Sequence, residues 1–116
     1  MRVKIEQEIP EAFVQDEGAQ NVTKRILIGP GDGSSRIIMR YFKILPGGNT
    51  PKHSHDFEHV VRVEKGRGLV VDEAGQEIPI SIGHSVYISS GKEHQFKNPH
   101  DEPFEFLCTI LNPDEV

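Results

Sequence analysis

The chain of 116 residues has no tryptophan, a single cysteine and no long apolar run. One thiol, Cys108, cannot form an intrachain disulfide, so no disulfide framework is expected and a reducing cytoplasm is the default location. Without a long apolar run there is no candidate membrane span, and Met1-Arg-Val-Lys-Ile-Glu6 is too charged for a signal peptide. Cationic clusters are missing too. Thirteen basic residues face eighteen acidic ones, a formal charge of −5. That balance argues against nucleic acid and against a membrane surface as partners. Helical periodicity is also lacking: no stretch sustains it over three turns, and Pro10–Gln15 has room for one short turn at most.

Glycine and proline, by contrast, are frequent, with eleven and eight copies. They cut the chain into short β-rich runs: Val22–Ile28, Arg36–Leu45, Phe57–Glu64, Gly68–Asp72, Glu77–Ile80, Ser85–Ile88, His94–Lys97 and Phe104–Leu111. Many short strands at turn spacing predict an all-β sandwich or barrel. No linker, tandem repeat or low-complexity stretch divides the chain, so residues 1–116 are expected to form one domain. Gly29-Pro-Gly-Asp-Gly-Ser-Ser35 is glycine-rich but lacks the Gly-Lys-Ser/Thr ending of a phosphate loop, and reads as a hairpin loop. In the last strand Phe104, Phe106, Cys108 and Ile110 should face inward, because Glu105 must face out. For Arg36–Leu45 parity does not choose between the faces.

The densest chemistry lies in His53-Ser-His55-Asp-Phe-Glu-His59. Extended backbone alternates sides, so the three histidines share a face with Phe57, Val61 and Val63. Ser54, Asp56, Glu58, Arg62 and Glu64 take the other face with Val60. Imidazole nitrogens on a half-buried face need partners, and three together are most simply satisfied by a metal ion. A fourth histidine, His94, follows in Ser89-Ser-Gly-Lys-Glu-His94-Gln-Phe-Lys-Asn98. A lone histidine on an apolar strand is ordinarily structural, whereas four in this pattern point to a ligand set. His84 and His100 sit in turn-rich contexts and are expected at the surface.

These spacings resemble the two motifs of the cupin superfamily. Gly47, five residues, His53-x-His55, position 59, then six residues to Gly66 fits the first. Gly83, five residues, Ser89, Gly91, two residues, His94, three residues and Asn98 fits the second. The resemblance implies a double-stranded β-helix (a jelly-roll barrel) with a metal at its centre. Two positions depart from the pattern: Ser89 replaces a proline, and His59 stands where the metal-binding glutamate is usual. Glu58 is adjacent, but parity turns it away from His53 and His55 unless a β-bulge intervenes. The expected ligands are therefore His53, His55, His59 and His94.

Beyond the motifs, Lys24–Gly29, Met39–Phe42, Glu58-His59 and Phe104–Cys108 look like small single-domain cupins with four-histidine manganese sites, known from a hyperthermophile. That resemblance implies one divalent ion per chain, manganese first, and oxidative cleavage of alkenes with a peroxide co-substrate. Imidazole also suits Fe, Ni, Cu and Zn. Four neutral ligands leave the 2+ charge uncompensated, so an anionic small-molecule substrate is expected. Phe57, Phe96, Phe106 and Ile110 are candidates for the pocket wall, with core packing as the competing role. Arg40 and Cys108 are candidates for catalysis. Arg40 matters if it faces inward, where it would orient an anion, and Cys108 is otherwise a small core residue.

The sequence reading thus favours a metal-dependent oxidoreductase, a dioxygenase or a peroxide-using enzyme. A non-redox isomerase or lyase, or a binding module without turnover, stand as alternatives. By parity no Asp or Glu faces the histidines as a general base, which counts against a non-redox enzyme. Exposed sheet edges, and the way N-terminal strands pair in relatives of this kind, suggest a homodimer.

Overall fold

The computed structural model describes residues 1–114. Nine strands follow one another: β1 (Ala12–Phe13), β2 (Gln20–Ile28), β3 (Ile37–Asn49), β4 (His59–Lys65), β5 (Arg67–Val71), β6 (Glu77–Ser81), β7 (Ser85–Ile88), β8 (Gln95–Lys97) and β9 (Phe104–Leu111). Two three-residue 3-10 turns, Glu6–Glu8 and Pro30–Asp32, are the described helical elements. Pairing is antiparallel throughout. One wall runs β1-β2-β3-β9-β4-β7, the other β6-β5-β8, and β3 joins them through Asn49 opposite Lys97. The sheet curls around one apolar interior, an all-β jelly-roll barrel: strand spacing predicts a sandwich or barrel, and the resemblance in motif spacing implies the double-stranded β-helix.

The interior is built from the inward positions of several strands. Ile44, Val61 and Phe104 have no exposed surface, and Phe106 is 2% exposed. Burying each such side chain contributes about 1.5–3 kcal/mol. Phe106 is an aromatic hub, its ring centroid 4.6 Å from Phe96, 5.3 Å from Phe104 and 5.4 Å from Phe42. In β9 Phe104, Phe106, Cys108 and Ile110 are all buried, as the alternation with Glu105 requires. The register left open in β3 is settled by packing: Ile38, Phe42 and Ile44 join the core cluster. Tyr41 is buried against the opposite side, where its hydroxyl donates to Glu105.

The chain crosses from one wall to the other at Gly66, between β4 and β5. Its φ of +71° is left-handed, and a Cβ there would lie 2.2 Å from the Pro103 carbonyl oxygen. Only glycine fits both constraints. Two residues later a Cβ on Gly68 would lie 2.3 Å from the Phe104 ring. Glycine at these positions lets the second wall close on the phenylalanine core.

Several strand ends differ from the sequence reading by a residue or two, and three differences shape the site's surroundings. Ala12–Phe13 within Pro10–Gln15 is a short strand against Thr23 and Lys24, not a turn. β3 continues through Pro46-Gly47-Gly48 to Asn49. Regular pairing in β4 starts only at His59, because the chain bends at Asp56-Phe57. Gly29–Ser35 is the connection between paired β2 and β3, as expected of a hairpin loop. Its tip is tied down by Asp32, whose carboxylate accepts from the Gly29 amide, Lys4 and Arg2.

Candidate functional site

Two loops bring the histidines together. His53 and His94 face each other in a single antiparallel bridge: each amide donates to the other's carbonyl, at 3.2 and 3.0 Å. Further lacing fixes this register. The Thr50 amide donates to Phe96 O, and the Phe96 amide donates to Thr50 Oγ1. The Gly91 amide donates to His55 O. His59 enters from β4, between Ile88 of β7 and Ile110 of β9. The alternation inferred for this stretch is visible in the burial. From Lys52 to Val63 every even-numbered residue is exposed and every odd-numbered one is buried or half-buried. Glu58 accordingly points outward and accepts a hydrogen bond from the Tyr87 hydroxyl.

The four rings surround the end of one cavity. His53 and His55 centroids are 4.2 Å apart, His59 and His94 4.7 Å, and His55 and His59 5.3 Å. The Nε2 atoms of His53 and His55 are 3.0 Å apart. His94 Nδ1–H donates to Lys92 O at 2.9 Å, which fixes the tautomer that leaves Nε2 with a free lone pair. Buried His59 leaves Nδ1 without a hydrogen-bond partner. Among the described residues no three His, Cys, Asp or Glu side chains stand in a ready metal-ligating arrangement as their rings are set. The backbone has placed four imidazoles side by side.

Burial favours the neutral form of three of these rings, His53, His55 and His59. Burial depresses the pKa of His59 most, to about 3, and the neighbouring His94 and Arg40 add to that effect. His53 and His55 are also lowered, first by burial and then by adjacent imidazoles. Neutral imidazole is the form that binds a metal.

The cavity has a volume of about 230 Å³. Phe57, Phe96, Phe106 and Ile110 line it, and His55 stacks on Phe57 with centroids 4.7 Å apart. Phe96, Phe106 and Ile110 also belong to the buried core, so wall and core are the same side chains. Arg40 faces inward. Its Nη2 donates to Cys108 Sγ at 3.0 Å, and its guanidinium lies 5.0 Å from the Phe42 centroid. Cys108 is 3% exposed, and burial raises its thiol pKa despite Arg40. Burial thus favours the protonated thiol over the thiolate.

Other cavity residues escaped the sequence reading: Asp16, Lys24, Phe42, Thr50 and Pro113. Asp16 matters most, because strand parity near the histidines gave no inward carboxylate. It arrives from the connection between β1 and β2, where no strand pattern announces it. Lys24 lies on β2, whose register slips between Gln20 and Val22, which spoils a simple alternation. Away from the cavity, His84 is exposed and His100 is half-buried rather than fully exposed.

Residues 40–110 match the cupin domain family. The chain is 33% identical over 101 residues to the 1-methylthio-D-xylulose 5-phosphate methylsulfurylase of Rhodospirillum rubrum, covering 83% of this chain and 62% of that protein. Among solved structures, the polyketide cyclase RemF of Streptomyces resistomycificus superposes with a TM-score of 0.91. It is 28% identical, over 96% of this chain and 79% of that one. A cupin-2 domain protein from Rhodospirillum rubrum gives a TM-score of 0.77 at 26% identity, over 96% and 74%.

Proposed function

The chain belongs to the cupin family, and we propose that it is a metal-dependent enzyme taking a small enolisable carbonyl compound at a four-histidine centre. The observation that carries this reading is four imidazoles, with no carboxylate among them, at the end of an aromatic-walled cavity. The donor set suits a divalent ion: His94 has its Nε2 lone pair free, and His59 Nδ1 has no other partner. His53, His55, His59 and His94 would hold it. Manganese is the ion the four-histidine resemblance favours, with Fe, Ni, Cu and Zn also suited to imidazole.

When bound, the ion supplies Lewis-acid stabilisation of a developing enolate. The chain's own residues do the rest. The neutral histidines leave the site's positive charge for the substrate. Phe57, Phe96 and Phe106 hold an apolar body and exclude water. Asp16, at the same cavity, is the candidate acceptor for a substrate proton.

Two fates of the enolate are open to test. Oxidation by oxygen or a peroxide is the fate that the carboxylate-free histidine set favours. Ring closure or isomerisation without an oxidant is favoured by the likeness to a polyketide cyclase and by Asp16. The experiment loads the protein with Mn, Fe, Cu or Zn and offers 1,3-diketones and flavonols, with styrene-like alkenes as a separate test of oxidative cleavage that needs no enolate. Oxygen or peroxide uptake above a His94→Ala control supports oxidation. A product of unchanged mass, or one short only of water, supports the second fate. If no metal is retained above that control, the four-histidine reading fails. A homodimer is proposed as the assembly: Ile37, Val60, Tyr87 and Leu111 are exposed on the outer wall, and sedimentation tests it.

A further inference from the structure

Six lysines and arginines of the described chain are half-buried: Lys4, Lys24, Arg25, Arg40, Lys43 and Lys97. Four have a carboxylate partner. Lys4 pairs with Asp32, Arg25 with Glu6 and Glu11, Lys43 with Glu11, and Lys97 with Glu77. The two among the described residues without one are Lys24 and Arg40, and both line the cavity beside the histidines. They stand on neighbouring strands: Ile26 pairs with Arg40, and Lys24 with Phe42. Asp16 lines the same cavity, yet forms no ion pair with either among the described contacts.

Arg40 is the more demanding of the two. Its Nε is buried with no hydrogen-bond partner, and its Nη2 meets only the weak acceptor Cys108 Sγ. A partly desolvated guanidinium without an anion is costly, and an anionic ligand would offset that cost. Its seat over Phe42 leaves the planar fork suited to two oxygens of one group. In a protein with a net charge of −5, this cavity wall concentrates positive charge.

We propose that Arg40 and Lys24 form an anion subsite, so that the substrate carries a carboxylate or phosphate on an apolar or aromatic body. This builds on the proposed enzyme but uses none of its metal ligands. The substrate would lay its ring against the phenylalanine wall and its anionic group between the two cations. Cys108 then positions the guanidinium from behind by accepting its Nη2 hydrogen.

Calorimetric titration of the full chain as purified tests this, with benzoate, phenyl phosphate and the neutral isostere benzamide as probes. Benzoate or phenyl phosphate is expected to bind at least about tenfold tighter than benzamide. Arg40→Gln should lose about tenfold of that preference and Lys24→Gln a smaller factor, with benzamide binding unchanged. The tighter of the two anions identifies the head group. Arg40→Lys, which keeps the charge without the fork, should fall between wild type and Arg40→Gln. Equal binding of benzamide and both anions, or anion affinity unmoved in Lys24→Gln and Arg40→Lys alike, would overturn the subsite. Metal content measured on the same samples keeps the two readings apart. Anion preference retained in metal-poor His94→Ala leaves the subsite standing even if the metal centre fails. Metal retained in Arg40→Gln with no anion preference in wild type does the reverse.

Discussion

The two faces of the β2-β3-β9 wall are made from the same strands yet solve the problem of polar groups in opposite ways. On the outer face charge is matched locally. Glu11 accepts from the Thr23 hydroxyl and pairs with Lys43 and Arg25, while Tyr41 donates to Glu105. On the inner face, among the described residues, Arg40 and Lys24 have no carboxylate partner and His59 Nδ1 has no hydrogen-bond partner. Buried polar groups are normally satisfied within the chain. A face that satisfies everything is finished by folding, whereas a face that leaves donors and acceptors open waits for a ligand. The difference supports placing the proposed site on the inner face, without reference to any relative.

The comparison can be pressed first through packing. Phe104, fully buried on the inner side of β9, should cost about 3–5 kcal/mol on replacement by alanine. Its neighbour Leu107 projects to the other face and is only half-buried, so Leu107→Ala should cost well under half as much. Denaturant unfolding of the two variants checks this. Comparable losses would mean the outer face is also a packed interface, as a homodimer through this wall would make it.

Metal retention divides the same way between adjacent residues. His59→Ala should lower metal affinity by more than about 100-fold, since loss of a ligand must exceed the loss of an outer partner. Glu58→Ala should leave affinity within about twofold, because Glu58 faces out onto Tyr87. Elemental analysis after dialysis against a weak chelator reads both. A larger loss for Glu58→Ala would show that the strand rotates or bulges when it binds metal.

Acid distinguishes the faces by pH window. Inside, His59 has a folded pKa near 3, far below the ordinary histidine value, because burial disfavours its charged form. Between those two values the unfolded chain binds the extra proton. Stability of the metal-free protein is therefore full above about pH 6.5 and falls as pH drops towards 3. The slope from this one group is about 1.4 kcal/mol per pH unit. His59→Gln should flatten that slope, and melts from pH 7 to 4 test it. An unchanged slope would place the titration elsewhere.

These contrasts also show what the sequence could and could not disclose. Strand positions were legible because glycines and prolines interrupt the chain at turn spacing, and β9 was legible in full because Glu105 fixes its parity. The shared face of His53, His55 and His59 followed from alternation alone, and it survives even where the ladder breaks at Asp56-Phe57. The bridge that brings His94 to His53 is a long-range pairing, visible beforehand only as a resemblance in spacing. Arg40 could not be placed, because Tyr41 and Ile44 are both buried although they lie on opposite faces of β3. Apolarity therefore did not mark one side. Asp16 was illegible for a different reason. It lies outside any strand, so no periodicity constrains where its side chain goes.

The smallest expected effect lies on the outer face, in its best-connected carboxylate. Lys43, with Thr23 and Arg25, holds the Glu11 carboxyl below the usual glutamate range, against a modest opposing effect of burial. A depressed folded pKa means the group stabilises the native state above the unfolded value. That contribution is lost as pH falls through the folded value. The Glu11 carboxylate is nonetheless partly open to solvent, and exposed ion pairs typically contribute about 0.2–1 kcal/mol. Glu11→Gln should therefore cost no more than about 1 kcal/mol at pH 7, shrinking below pH 4 and in high salt. Metal content and benzoate binding should not change, since Glu11 is not among the cavity-lining residues. A cost of several kcal/mol, insensitive to salt, would mean that the outer face relies on this cluster as heavily as the inner face relies on its phenylalanines. The division of labour between the two faces would then be wrong.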